Sequence, residues 1–140
     1  MLVASWARIE DLAPLEGAPL RVASVGANPI QDLSPLKGMQ LEQIDLGDTK
    51  VTDYSILREM PLRVLGLHGR PIRDLKEFAH FKLTFLRVDA TPVTDFSALK
   101  EMPLEELWCS YKPERDRELL KTFSALKRLN GKPAADVLGQ

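Results

Sequence analysis

The sequence predicts one α/β domain in which short repeats stack as the coils of a solenoid, with a parallel β-sheet on the concave face and helical turns on the convex face. Leucine is abundant, with 23 leucines among 140 residues. Five columns of apolar residues keep one register through the repeats, which coincidence does not produce. The repeats begin 21 residues apart, at Leu20, Leu41, Leu62, Leu83 and Leu104.

Length and composition limit the possible classes of protein. A chain of 140 residues, 44% of them hydrophobic, can form one domain with its own core. The formal net charge of −1 argues against a broadly cationic surface, so neither nucleic acid nor a membrane is an expected partner. No run reaches the roughly 18 apolar residues of a membrane span. The first twenty residues lack the pattern of a secretory signal, and the single Cys109 excludes an internal disulfide, which favours the cytoplasm.

The repeat unit reads L-x-x-L-x-L-x-x-T-x-V-x-D-L-S-x-L-x-x-M-P. The apolar fourth and sixth positions alternate with polar or small residues, which is the period of a strand. Leu65 and Leu67 are therefore expected to point inward, while Val64, Gly66 and His68 point outward. Six such strands would pair in parallel about 4.8 Å apart. The domain divides into a partial repeat over 1–19, full repeats over 20–40, 41–61, 62–82 and 83–103, and a last repeat with a C-terminal cap over 104–140.

An aspartate occupies position thirteen of every coil. Each one precedes a short stretch, such as Leu33-Ser-Pro-Leu36, whose sequence is compatible with a single turn of helix. Aspartate at a helix start accepts hydrogen bonds from unpaired backbone N–H groups, whereas calcium-binding solenoids carry glycine-rich nonapeptides. The column is therefore interpreted as structural helix caps and not as metal ligands. Its members are Asp11, Asp32, Asp53, Asp74, Asp95 and Asp116.

The two ends of the array differ. After Asp116 the apolar residues take helical spacing as far as Asn130-Gly131, which predicts one amphipathic capping helix that ends there. The apolar positions of this predicted helix are Leu119, Leu120, Phe123, Leu126 and Leu129. The N-terminus begins inside a repeat, with Leu2 and Ala4 in the strand columns. Because an uncovered strand is an edge that pairs readily, we expect either more natural chain before Met1 or pairing of this edge with another molecule.

The motif L-x-x-L-x-L, as in Leu62-Arg-Val-Leu65-Gly-Leu67, resembles that of leucine-rich repeat proteins. The 21-residue length and the second half V-x-D-L-S-x-L resemble a short bacterial subfamily. That resemblance implies a leucine-rich-repeat solenoid, of a type found near the C-terminal end of larger proteins that include Ser/Thr-kinase-like ones. The closing stretch over 111–135 resembles the usual ending of the subfamily. Since the family usually has Asn or Thr at position nine, Ala7, Arg70 and Lys112 are expected to interrupt the side-chain hydrogen-bond ladder there.

Motifs for phosphate loops, dinucleotide binding, zinc proteases and serine hydrolases do not occur in the sequence. Position seven of successive coils holds His68, Asp89 and Ser110. A catalytic triad needs the histidine in the middle, so the expected arrangement is a surface His–Asp contact beside a serine. Cys109 lies in the inward sixth column and is expected to be a small core residue. No catalytic residue, metal or cofactor is predicted.

The outward positions of the strands predict a binding surface. The N-terminal half of this surface carries small side chains, whereas Phe85, Arg87, Trp108 and Tyr111 concentrate in the C-terminal half. Trp, Tyr and Arg are enriched at binding hot spots. Alternatively, Trp108 and Tyr111 pack under the closing segment that begins at Lys112. The predicted surface consists of Val64, His68, Phe85, Arg87, Asp89, Glu106, Trp108 and Tyr111.

These observations predict a non-enzymatic module that binds a protein or peptide on its concave sheet. One alternative is a docking or sensor part of a larger bacterial signalling protein, such as a kinase-like one. Another is a structural part that self-associates through its open N-terminal edge.

Overall fold

A computed structural model describes residues 1–139 of the chain. The backbone winds through successive coils, and each coil adds one short strand to a single sheet. The strands of the repeats are Leu2–Val3 (β1), Val22–Ser24 (β2), Gln43–Asp45 (β3), Val64–Gly66 (β4), Phe85–Arg87 (β5) and Glu106–Trp108 (β6). Two further strands, Arg128–Leu129 (β7) and Lys132–Pro133 (β8), extend the sheet to eight strands in chain order.

The strands of the repeats pair in parallel with an offset equal to the repeat length. Ile44 of β3 lies opposite Ala23 of β2 and opposite Leu65 of β4, and the same offset holds from β1 to β6. Equal positions of successive coils therefore lie side by side. Leu65 and Leu67 are fully buried, as their columns predict, and the inward columns of all coils join in one core. The parallel pairing continues to β7, and only β7 and β8 are antiparallel.

The convex side consists of short 3₁₀ helices, each preceded by an aspartate of position thirteen. The aspartate carboxylate accepts a hydrogen bond from the backbone N–H of the first helical residue. Ser55 donates to Asp53 at 2.9 Å, and Ser97 donates to Asp95 at 2.8 Å. Asp11, Asp32 and Asp74 make the equivalent bond. Each bond satisfies an N–H group that has no partner within the helix. The helices span Ala13–Leu15, Ser34–Leu36, Ser55–Glu59, Lys76–Phe78 and Ser97–Leu99.

Asp116 differs from the other aspartates of its column. It lies inside an α-helix, Pro113–Leu120 (α1), and is 2% exposed. Its carboxylate reaches back to accept the backbone N–H of Lys112 at 2.8 Å and forms an ion pair with Arg115 at 2.5 Å. Asp116 therefore lies within the helix and still accepts the N–H group of the residue just before it, since α1 begins three residues before Asp116.

The predicted capping helix over Leu119 to Leu129 is wrong. Helix α1 ends at Leu120, Leu129 lies fully buried in β7, and a second helix, Ala134–Leu138 (α2), follows β8. Asn130 and Gly131 have φ angles of 51° and 78°, so they form the left-handed two-residue turn of a hairpin and not a helix stop. A strand forms here because its backbone can hydrogen-bond to the edge of the last repeat. Just before β7, for example, the Lys127 N–H donates to the Glu105 carbonyl at 2.8 Å.

Polar side chains at position nine hydrogen-bond to backbone groups of their own coil or of the preceding coil. Asn28 accepts the Ile9 N–H at 2.9 Å and donates to the Ala4 carbonyl at 2.8 Å, so it joins the first two coils. The hydroxyl groups of Thr49 and Thr91 donate to backbone carbonyls within their own coils. The side chains of Ala7 and Lys112, in contrast, are exposed.

Arg70 does not interrupt the ladder, and the expectation that it would is wrong. Its side chain extends back by one coil and is only 9% exposed. The guanidinium donates to the carbonyls of Thr49 and Val51, the latter at 2.6 Å, and to the hydroxyl of Tyr54 at 3.3 Å. A long side chain at this position therefore satisfies backbone acceptors that a threonine could not reach.

We expect Arg70→Met to lower the free energy of unfolding by about 1–3 kcal/mol, because it removes the side-chain donor of the buried Thr49 carbonyl and leaves the Val51 carbonyl with the Tyr54 hydroxyl alone. Urea unfolding followed by circular dichroism measures this. The exposed Arg73 is the matched position, and Arg73→Met should have little effect. Equal losses in the two variants would contradict the role assigned to Arg70.

A second prediction concerns acid stability. Hydrogen bonds from the serine two residues on hold the pKa values of Asp32, Asp53 and Asp95 below the ordinary 3.8. A carboxyl group with a lowered pKa stabilises the fold above its unfolded pKa, and this contribution is lost as the pH falls through the folded pKa. We therefore expect the melting temperature to fall below about pH 4.

The fall in melting temperature at low pH should be smaller in the triple variant Asp32→Asn, Asp53→Asn, Asp95→Asn, because an amide oxygen accepts the same backbone hydrogen bond and does not titrate. Asp136→Asn, an exposed change in α2, is the control and should leave the fall unchanged. Melting curves from neutral pH to about pH 2.5 would contradict the assignment if the triple variant and the native chain lost the same number of degrees.

Candidate binding surface

Outward side chains form lateral rows across the concave face of the sheet, because strand register places equal positions side by side. We name the rows by their repeat position. Row three contains Val22, Gln43, Val64, Phe85 and Glu106. Row five contains Ser24, Asp45, Gly66, Arg87 and Trp108. Row seven contains Gly26, Gly47, His68, Asp89 and Ser110.

Rows three and five enclose a depression of about 250 Å³ over β2 to β5. Gly66 lies in the middle of row five and contributes no side chain. The Asp45 carboxylate leans over this glycine, and a Cβ at position 66 would overlap it. The outward side chains that line the depression are those of Val22, Ser24, Gln43, Asp45, Val64, Phe85 and Arg87. The depression therefore offers apolar and hydrogen-bonding groups at the same place.

The aromatic side chains of the predicted surface have different environments. Trp108 is half-buried: its indole N–H donates to Glu106 at 2.7 Å, and the Arg87 guanidinium lies 5.6 Å from the ring centroid. Gly131 of the hairpin lies against the same ring, since a Cβ there would come within 3.0 Å of it. Tyr111 instead packs its ring against the core and buries its hydroxyl. Packing thus accounts for Tyr111, whereas Phe85 and Trp108 keep part of their surface on the concave face.

Arg87 and Asp89 form an ion pair beside the depression. The Arg87 guanidinium donates to the two Asp89 carboxylate oxygens at 2.8 and 3.4 Å. Burial by itself would raise the pKa of Asp89, but the hydrogen bond and charge of Arg87 outweigh burial, so the pKa of Asp89 lies below its ordinary value. The same hydrogen bond raises the pKa of Arg87. Both groups are therefore charged at neutral pH.

His68 contacts aspartates of the preceding strand and its turn. Its Nδ1 lies 3.7 Å from Asp45, and its Nε2 lies 3.6 Å from Asp48. The ring lies over Gly47, where a Cβ would overlap it. The predicted His–Asp contact therefore involves Asp45 and Asp48, whereas Asp89 is bound by Arg87.

Ser110, the third member of row seven, has a separate partner. Its hydroxyl oxygen accepts the backbone N–H of Ala90 at 3.3 Å. The three polar side chains of row seven thus share a row without forming a proton-transfer chain.

Three further features of the described residues are the state of the cysteine, the grouping of metal-binding side chains and the length of the helices. Cys109 is 3% exposed, and burial, followed by the charge of Asp116, raises the pKa of its thiol to about 12. Within residues 1–139 no three His, Cys, Asp or Glu side chains are grouped to hold a metal ion. No helix in the same part of the chain has the length and apolar character needed to cross a membrane.

Larger depressions lie on the convex side. One of about 520 Å³ lies between the second and third coils, beside Asp32 and Asp53. Another of about 390 Å³ lies between the first and second coils, beside Gly17 and Gly38. Lys37, Gly38, Met39 and Gln40 contribute to both depressions, which therefore adjoin each other on the convex side.

Comparison with known proteins identifies the architecture. An internalin, InlF, from Listeria monocytogenes has a similar structure, with a TM-score of 0.70 and 22% identity over 87% of this chain and 38% of its own. Internalin C2 from the same organism matches with a TM-score of 0.69 and 24% identity over 86% of this chain and 56% of its own. The fold is a leucine-rich-repeat solenoid. No protein-family model and no curated protein sequence matches the chain.

The match confirms the α/β leucine-rich-repeat fold predicted from the repeats. At these identities the likeness concerns the fold alone. The solenoid spans about two fifths of InlF and just over half of internalin C2. The cytoplasmic location and the kinase-like context therefore stay predictions.

The surface predicted from the sequence does not include the N-terminal side of the depression. Val22, Ser24, Gln43 and Asp45 line it, in the half of the surface whose small side chains the sequence does not single out. The signal that marks them is Gly66, because a glycine at an outward strand position creates space for neighbouring side chains. The repeat register would have placed all these residues beside that space.

We expect Cys109 to be unreactive in the folded protein, because a buried thiol with a raised pKa forms little thiolate at neutral pH. Alkylation by iodoacetamide, followed by mass spectrometry, should be slow in buffer and fast in denaturant. The exposed-site variant Ala135→Cys provides the positive control. Equal alkylation rates of Cys109 and the control thiol in buffer would contradict the prediction.

Proposed function

We propose that this solenoid binds a protein or peptide on its concave face, centred on the depression over β2 to β5. The observation that carries the proposal is the lining of that depression. Val22, Val64 and Phe85 supply apolar surface, while Gln43 and Asp45 supply polar groups beside it. Apolar contact combined with a few placed polar groups is the usual composition of a recognition site.

The size of the depression favours a macromolecular ligand. Pockets for drug-sized molecules typically measure about 300–1,000 Å³ and enclose most of the ligand. The depression is smaller, about 250 Å³, and is formed by an open sheet face. It suits one inserted side chain of a protein, with the surrounding rows in contact with its neighbours. Arg87, which lines the depression, and Trp108, which adjoins it, are of the residue types that contribute most at such interfaces. Phe85 is of a type that is enriched there.

The two alternative functions differ from this proposal in the attached chain or in the surface that they would use. A docking or sensor part of a larger bacterial signalling protein would use the same concave face, and only the attached chain would differ. A self-associating structural part would use the N-terminal edge instead. The full proposal for the concave surface retains the predicted Val64, His68, Phe85, Arg87, Asp89, Glu106 and Trp108, and adds Val22, Ser24, Gln43, Asp45 and Gly66.

The test begins by capturing a partner from the source cell on the immobilised chain and then measures binding of the purified partner by calorimetry. We expect Phe85→Ala and Trp108→Ala each to weaken binding by about tenfold or more, as truncation of a hot-spot residue does. The convex-face variant Arg73→Ala is the control and should bind as the native chain does. Melting curves must first show that all variants are folded.

Two outcomes would contradict the proposal. In one, both concave-face variants keep native affinity while they remain folded. In the other, Arg73→Ala weakens binding as much as they do, which would move the site to the convex face.

A further inference from the structure

The concave face carries an excess of negative charge. In the coils that contain β2 to β6, rows three, five and seven together with position eight hold four carboxylates and one guanidinium, with His68 counted as neutral. The chain as a whole has a formal net charge of −1, so this face is more acidic than the rest of the molecule. Its charged residues are Asp45, Asp48, Arg87, Asp89 and Glu106.

Two of these carboxylates already have a guanidinium beside them. Arg87 donates to Asp89 at 2.8 Å. The guanidinium of Arg128, in β7, lies 3.8 Å from Glu106. The charges of Asp89 and Glu106 are therefore balanced from within the chain.

Asp45 and Asp48 have no such partner. Among residues 1–139 no lysine or arginine forms an ion pair with either of them, and the basic side chain beside them is His68, at 3.7 and 3.6 Å. The buried Nδ1 of His68 makes no hydrogen bond within the described chain, so it does not donate to Asp45. His68 can carry at most one positive charge, which leaves at least one of the two carboxylates unbalanced.

Of these two carboxylates, that of Asp45 lines the depression over β2 to β5. The side chain of Asp45 is 36% exposed. Its Oδ1 accepts the Gly47 N–H at 3.0 Å, whereas its Oδ2 accepts no hydrogen bond from the described residues. A charge that is partly buried is screened less by salt than a fully exposed one. The depression therefore contains an acceptor that is charged and open to a ligand.

Arg87 lines the same depression but is less available to a ligand than Asp45. Its hydrogen bond with Asp89 is the main cause of its raised pKa. The charges of Asp45 and Asp48 add to that rise, so the field of these carboxylates extends across the depression. An anionic ligand group would have to displace Asp89 from Arg87, whereas a cationic group finds Oδ2 of Asp45 unoccupied.

The remaining lining of the depression is largely apolar. Val22, Val64 and Phe85 are each partly exposed there. An apolar ligand side chain would cover Asp45 without giving its carboxylate a partner, which is costly. Lysine and arginine avoid this cost, because their methylene stems pack on apolar surface while their charged ends remain free to pair.

We propose that the depression binds a basic side chain, a lysine or an arginine, presented by a protein or peptide partner, with Asp45 as its counter-ion. The stem of the side chain packs on Val64 and Phe85, and its charged end donates to Oδ2 of Asp45. This inference rests on the proposed function, because it specifies the chemistry of the partner on the same face. Lysine and arginine share that chemistry and differ in the geometry of their donors.

Short blocked peptides test the charge requirement directly. The probes are acetyl-Gly-X-Gly-amide peptides in which X is lysine, arginine, norleucine or glutamate, and binding is followed through backbone amide shifts in NMR spectra. We expect the lysine or the arginine peptide, or both, to shift the Gly47 and Gly66 signals with a dissociation constant in the millimolar range. The norleucine and glutamate peptides should bind at least about tenfold more weakly, because they lack the charged donor.

A matched pair of variants assigns the effect to Asp45. Asp45→Asn keeps an oxygen that can accept the Gly47 N–H and removes the charge, so it should weaken binding of the basic peptides about tenfold. Asp74→Asn removes the same charge from the convex side and should bind as the native chain does. Unchanged signals from the core of each variant show that it is folded.

Three results would overturn the inference. They are an absence of shifts at Gly47 and Gly66 with both basic peptides, equal binding of the basic and norleucine peptides, and native affinity of Asp45→Asn for the basic peptides.

Failure of this inference can be distinguished from failure of the proposed function. If Phe85→Ala and Trp108→Ala weaken binding of the captured partner while Asp45→Asn does not, the partner binds the concave face without a basic side chain in the depression. If the basic peptides bind through Asp45 but the partner is insensitive to all three variants, the depression keeps its specificity and the proposed function is wrong.

Discussion

The structure depends on one constraint, the 21-residue offset between neighbouring strands. No single coil has enough apolar surface to close a core by itself, so each inward side chain is buried by its equivalents in the coils before and after it. An offset one residue longer or shorter would place inward positions of one coil beside outward positions of the next. The parallel register from β1 to β6 satisfies this constraint without interruption. The core is therefore continuous along the solenoid, and Leu65 and Leu86 in its middle strands are fully buried.

The same offset organises the outer surface. Rows three, five and seven bring together side chains that are 21 residues apart in sequence, so a feature of the concave face is always built by several coils. Gly66 in row five is an example, because its missing side chain leaves room for the Asp45 carboxylate of the neighbouring coil. Position eight adds a second regularity, since each of the first five coils has a positive φ angle there. At Gly69 this backbone is easily adopted, whereas at Trp6 the stacking imposes it on a large side chain.

The C-terminal end of the described solenoid is closed by elements that do not follow the repeat. At this end, β7 occupies the edge of the last repeat, and β8 and α2 then cover the sheet. The concave face extends from this closed end across the strands of the repeats and presents mixed polar and apolar side chains.

The sequence by itself determined the class of the fold, the register, the inward columns and the placement of aspartates before the convex turns. These features follow from short-range chemistry repeated at a constant interval, which a single sequence displays directly. Tertiary structure decided the rest. The reach of Arg70 into the preceding coil, the burial of Tyr111 and the strand at Leu129 depend on what lies next to each residue in space. Asn130-Gly131 fits either a helix stop or a hairpin, and only the unpaired edge of β6 selects the hairpin. The concave depression likewise depends on side-chain positions in space, since side chains of four strands line it and the Asp45 carboxylate lies over Gly66.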